Sequence, residues 1–276
     1  MADISDERDA RRPPILRDKH YRAASAFTPQ NLLREARRQK AIAGAAVPDV
    51  CVLDPDGDIV RYLRAAGLGR PVDAWACYHS EMLAFDLGGL TCGIVGCAVG
   101  APYAVLLAEQ MFVSGCRLLI STTSAGRIAS ARPPPFFILI DRALRDEGTS
   151  YHYLPPDDYA EADPALLRVA AGALEALGQP IERGATWTTD APYRETPAAI
   201  EAARARGILA VEMEAAALYA FARASGNAVL CLAHVTNQMG QAGDFEKGDA
   251  NGATASLAVT RSIAAAWFGG RTASLR

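Results

Sequence analysis

The chain has 276 residues, half of them hydrophobic, and a formal charge of −3. That is enough apolar material for one large α/β domain, and the near-neutral charge argues against a surface built for polyanions, so no nucleic-acid partner is expected. No apolar run reaches the roughly 18 to 20 residues a bilayer span needs, and the charged N-terminus does not fit a secretory signal, so a cytoplasmic protein without a membrane partner is expected.

Residues 1–27, led by Asp, Arg and Pro, are expected to form a flexible N-terminal arm, and residues 28–276 one domain. Thr28 followed by Pro29 is an N-cap and first-turn pair, and Leu32, Leu33 and Ala36 give the following helix an apolar side. Strands and helices then alternate. Strands are expected at Val50–Leu53, Gly93–Val99, Arg117–Thr122, Phe136–Asp141, Ile181–Thr188, Ile208–Met213 and Ala228–Thr236. Helices are expected at Tyr103–Val113, Pro164–Leu177, Pro197–Arg206, Ala215–Ala224 and Thr254–Trp267. This rhythm predicts a single-domain α/β fold with a mixed, mostly parallel central sheet flanked by helices and ligands at the carboxyl ends of the strands. Cys51, Cys77, Cys92, Cys97, Cys116 and Cys231 lack the paired short spacing of a zinc site, and His79, His152 and His234 lack ligand spacing, so no metal is expected.

The most informative stretch is Val211-Glu212-Met213-Glu214-Ala215-Ala216-Ala217, two carboxylates around a methionine where a strand gives way to a small-residue helix. Taken alone, it is also what a helix start favours, because acidic side chains complement the helix dipole there. Two further segments accompany it, Gly96-Cys97-Ala98-Val99-Gly100-Ala101-Pro102 and Ser121-Thr122-Thr123-Ser124-Ala125-Gly126. Together they resemble the Val-Glu-Met-Glu signature, the glycine-rich turn and the Gly-Thr-Thr-Gly-type loop of the nucleoside phosphorylase and uridine phosphorylase superfamily, over about Val50 to Trp267.

The resemblance implies a pentosyltransferase with no cofactor other than phosphate as co-substrate. It places Met213 against a ribose, Glu214 on the 2′- and 3′-hydroxyls with Glu212 in support, Thr123 in the base pocket, and His20 reaching the 5′-hydroxyl of an adjacent subunit in a homo-oligomer. Chemistry agrees for Glu214: cleaving an N-glycosidic bond builds positive charge on the sugar, which a nearby carboxylate stabilises. At the position where the family carries Asp or Asn against the base, this chain has Asn237. An amide cannot act as a general acid, which shifts the expectation to pyrimidines or 6-oxopurines; a plain turn residue at a strand end is the alternative for Asn237. Trp187, Tyr193 and Arg194 lie in a segment similar to the loop that covers the base, where an aromatic ring stacks and a guanidinium bonds to base carbonyls.

The phosphate loop resembles the family less. Asp54-Pro55-Asp56-Gly57-Asp58-Ile59-Val60-Arg61 keeps a glycine and an arginine, displaced among three aspartates, and Gly57, Arg61 and Thr122 are the residues that would hold phosphate. One arginine beside several carboxylates neutralises a phosphate dianion poorly. The expected reaction is phosphate-dependent cleavage of a pyrimidine or 6-oxopurine nucleoside. A phosphate-independent hydrolase and a nucleoside-binding protein without turnover stay open as alternatives.

Overall fold

Strand β1, Val50–Asp54, is buried along its whole length, as its apolar run Val-Cys-Val-Leu requires of a strand covered on both faces. The computed structural model describes residues 13–44, 46–130, 132–178, 180–239 and 245–273. On either side of β1 lie β4 (Thr91–Gly96) and β5 (Leu118–Arg127), both parallel to it. β5 continues in parallel to β10 (Val229–Gln238), which is antiparallel to β6 (Phe136–Asp146). β6 runs parallel to β8 (Ile181–Thr189), β8 parallel to β9 (Ala210–Glu212), and β9 returns antiparallel to β5. Five strands thus close a ring, β5-β10-β6-β8-β9, from which β1, β4, β3 (Leu83–Asp86) and β2 (Arg70–Pro71) extend as an open wing. Short β7 (Tyr159–Glu161) adds to the edge of β6.

Helices cover the sheet. Their starts follow from sequence: α1 (Pro29–Lys40), α4 (Pro164–Glu175) and α5 (Pro197–Ala205) each begin with a proline behind a capping side chain. Thr28, Asp163 and Thr196 accept the N–H groups of Asn31, Leu166 and Ala199 at 3.3, 2.8 and 3.2 Å. α6 (Ala215–Ser225) is buried from Ala215 to Phe221, its alanines bringing it close to β6 and to α3 (Ala101–Val113). Tyr219 fixes it to the sheet, its hydroxyl donating to the Ile140 carbonyl at 2.6 Å. The long C-terminal α7 (Ala253–Ala273) packs on α4.

Three features differ from the sequence reading. Asp58–Ala65, expected as part of an anion-binding loop, is a helix, α2, with Gly57 as its N-cap. Ser121–Gly126, expected as a loop, is the second half of β5, because β9 and β10 pair with it from both sides. β2, β3 and β7 are too short for their periodicity to stand out. Of the expected arm, residues 1–12 lie outside the described residues, and Pro14–Leu16 forms one 3₁₀ turn with no buried residue. Among the described residues no helix is long and apolar enough to cross a membrane.

Candidate functional site

The carboxyl ends of β1, β4 and β9 meet the middle of β5 at one corner, and the two glutamates of the β9–α6 junction stand there in different environments. Glu212 is fully engaged. Its carboxylate accepts the hydroxyls of Thr186 and Thr188 from β8 and the backbone N–H groups of Glu214 (2.7 Å) and Ala215 (2.8 Å). Thr188 accepts the N–H of Ala216 at 2.9 Å, so Glu212 and Thr188 together cap α6. Glu212 therefore supports the corner from beneath rather than facing a ligand.

Glu214 faces the corner. It is 1% exposed; its Oε1 accepts the N–H of Gly100 at 2.7 Å, while Oε2 is buried without a partner. Gly100 can present that N–H because it adopts φ +94°, a conformation open to glycine and strained for other residues. Thr123 adjoins the same carboxyl but gives its hydroxyl to the Ser124 carbonyl at 3.3 Å. Burial first, and the neighbouring Glu212 charge second, push the Glu214 carboxyl up to about 8. An orphaned, charge-capable oxygen in a buried corner is what a ligand with hydroxyl groups would complete. Met213, half-buried, lies between the two glutamates in the chain.

The β1–α2 turn forms the next wall. Asp54 accepts the N–H groups of Gly57 (3.1 Å) and Val60 (2.9 Å), and burial lifts its carboxyl to about 6. Asp56 reaches across to β5, where Oδ2 accepts the Ser124 N–H at 2.8 Å and Oδ1 the Ser124 hydroxyl at 2.9 Å. Asp58 binds Arg61 at 2.6 Å and Lys247 at 2.5 Å. Of the three residues expected to hold phosphate, Gly57 turns its N–H to Asp54, and Arg61 turns to Asp58 and the Asp56 carbonyl (2.8 Å). Thr122 is different: its buried hydroxyl has no partner. The turn is tightly held, since a Cβ at Gly57 would stand 2.7 Å from the Cys97 sulfur.

Asn237 sits at the end of β10, opposite Gly126 of β5 and just past a bulge, half-buried with its amide 3.9 Å from the Met239 sulfur. Trp187 does not offer a ring for stacking. It is 5% exposed, packs in a cluster with Ile128, Ile200 and Val211, and donates its indole N–H to Asp146 at 2.9 Å. Tyr193, on the following 3₁₀ turn, is 99% exposed, and Arg194 beside it is exposed too. His20 is exposed, its carbonyl accepting the Ala23 N–H at 2.8 Å. The larger surface hollows, about 800 and 560 Å³, share no residue with this corner and gather no comparable set of buried acids.

Sequence reading missed Asp56 as a partner of Ser124, His234 stacked on Phe137 at 4.5 Å, and Lys247 on Asp58. The run of three aspartates was the available signal for the first; nothing local marks a lysine 189 residues from its partner.

Residues 42–267 match the family model of the phosphorylase superfamily. The chain belongs to the phosphorylase superfamily. A guanosine phosphorylase of Halorubrum lacusprofundi is 27% identical over 188 residues, covering 63% of this chain and 77% of that protein. A uridine phosphorylase of Thermococcus kodakarensis is 27% identical over 219 residues, covering 69% of this chain and 79% of that protein. In three dimensions the fold matches the crystal structure of uridine phosphorylase from Vibrio fischeri with a TM-score of 0.64 at 21% identity, over 79% of this chain and 91% of that one.

Proposed function

We propose that this protein cleaves the N-glycosidic bond of a pyrimidine or 6-oxopurine nucleoside, with Glu214 on the pentose hydroxyls and Asn237 at the base. The observation that carries the reading is Glu214 itself, a buried carboxyl anchored on one oxygen by Gly100 and open on the other. A bound pentose would complete Oε2 with a hydroxyl, and the negative charge of the corner would grow in value as the sugar turns oxocarbenium-like. Asn237 offers an amide donor and acceptor but no transferable proton, which suits bases whose leaving form is stabilised by hydrogen bonding. Thr123 adjoins Glu214, and Tyr193 and Arg194 are the exposed groups placed to close over a base. His20 contributes to a neighbouring copy in a homo-oligomer, which sedimentation of a dimer or larger species would support and a monomer at micromolar concentration would exclude.

The test is base release from uridine, inosine, guanosine and adenosine. Release from the first three above adenosine is the expected pattern, and Glu214→Gln, which removes the carboxyl that a bound sugar's developing positive charge would draw into its ionised form, should slow it roughly tenfold to a hundredfold. Binding without release in the wild type would instead make this a nucleoside-binding homologue.

A further inference from the structure

The donors at the end of β5 that could receive an oxyanion are already occupied by a side chain of the same molecule. Asp56 takes both the N–H and the hydroxyl of Ser124, and Arg61 and Lys247 are both engaged by Asp58. The cavity lined by Asp54, Asp56, Asp58, Thr122, Ser124, His234 and Lys247 measures about 20 Å³. That is room for about one water molecule, which needs roughly 10 to 15 Å³ of such space. It is no room for a tetrahedral dianion, which three carboxylates set against one lysine, itself paired with Asp58, would also repel. One polar group points to an occupant: Thr122 lines this cavity, 5% exposed, with its hydroxyl unpaired. Asp56 is near enough to the sugar corner for its charge to act on Glu214.

We propose that Asp56 stands where a phosphate would otherwise bind and that the nucleophile in this protein is water, held by Thr122 and Asp56, with Asp56 as its proton acceptor. This rests on the N-glycosidic reading above and replaces the phosphorolysis named in its relatives by hydrolysis. In the step, the water oxygen bonds to the anomeric carbon and the carbon–nitrogen bond breaks with its electron pair going to the base. The proton lost by water passes to Asp56 and returns to solvent, and the departing base takes up a solvent proton. Products are the free base and the free pentose.

Two measurements decide it. With a nucleoside that releases its base, turnover is followed in phosphate-free buffer and with added inorganic phosphate, and the sugar product is identified by phosphorus and proton NMR. Hydrolysis predicts an unchanged rate and free pentose, and Asp56→Asn should lower kcat by roughly 10² to 10⁴-fold with little change in KM, as removal of a general base does. A rate proportional to phosphate with pentose 1-phosphate as product overturns the proposal, and so does full activity of a folded Asp56→Asn. Equilibrium dialysis with labelled inorganic phosphate is independent of turnover. Wild type should bind none, while Asp56→Ala, which frees the Ser124 donors, should gain binding. If no nucleoside is cleaved, the functional reading fails and dialysis alone decides: phosphate held only by Asp56→Ala supports the occupied anion site, and phosphate held by wild type or by neither protein overturns it.

Discussion

The Glu212 carboxylate accepts the backbone N–H of Glu214 at 2.7 Å, so one glutamate of the pair fixes the chain on which the other is presented. The same carboxylate caps α6 through Ala215 and ties it to β8 through Thr186 and Thr188. Glu212→Ala leaves those donors buried and unpaired, at about 1 to 3 kcal/mol for each group left unsatisfied. With four donors left, the variant should lose about 4 kcal/mol or more in a denaturant titration, with activity falling along with the folded fraction. A loss too small to resolve would show that Glu212 is not the anchor of the corner.

Stability should decline above neutral pH. Glu214 is raised from the ordinary carboxylate range to about 8, so the folded state holds a proton that the unfolded chain has already released. A group raised on folding stabilises fully below its unfolded pKa and loses that contribution as pH climbs through the folded value. Glu195, lifted to about 7 by burial, acts in the same direction. His234, pushed down to about 4 by burial and then by Lys247, acts in the opposite direction between that value and its ordinary 6.5. His234 is silent between pH 6.5 and 8, and from pH 7, where Glu195 has also titrated, up to 8 Glu214 by itself is worth about 1.4 kcal/mol per pH unit. Thermal unfolding across that range should show a falling midpoint, flattened in Glu214→Gln; an equally steep fall in that variant would assign the effect elsewhere.

Exchange at the end of β10 should alter choice of base and leave the fold alone. Asn237 is half-buried, its Oδ1 accepting the Thr236 hydroxyl at 3.4 Å and its Nδ2 lying 3.9 Å from the Met239 sulfur. Asn237→Asp gives the base pocket a group that can carry a proton, so kcat/KM for adenosine relative to inosine and uridine should move by about tenfold or more. The same ratios in both proteins would place Asn237 outside the pocket.

Two aromatics of the β8–α5 segment should separate in their effects. Trp187 is buried against Ile200 and Val211 and bonds to Asp146, so Trp187→Ala should cost roughly 3 to 5 kcal/mol of stability. Tyr193 is fully exposed, and Tyr193→Ala should leave the unfolding midpoint in place while raising KM for a nucleoside it covers. A Tyr193→Ala protein with unchanged KM for every nucleoside tested would remove it from the base pocket.

What could be read from the chain alone was whatever is local or periodic. The buried run at β1, the caps Thr28, Asp163 and Thr196 ahead of prolines, and the Val-Glu-Met-Glu corner all announce themselves within a few residues, because strand burial, capping and tight helix packing are short-range requirements. What folding decided was which groups are already satisfied. Glu212 and Glu214 are chemically identical and two positions apart, yet Thr186 and Thr188 arrive from β8 to engage one, and Gly100 from the β4–α3 turn leaves the other half open. Asp56 is one of three aspartates in a five-residue stretch, and only the pairing of β5 beside β1 brings Ser124 to it. Hydrogen bonds between residues 24 to 114 positions apart leave no periodic mark on a sequence, and in a buried corner those bonds determine whether a carboxylate braces the fold or meets a ligand.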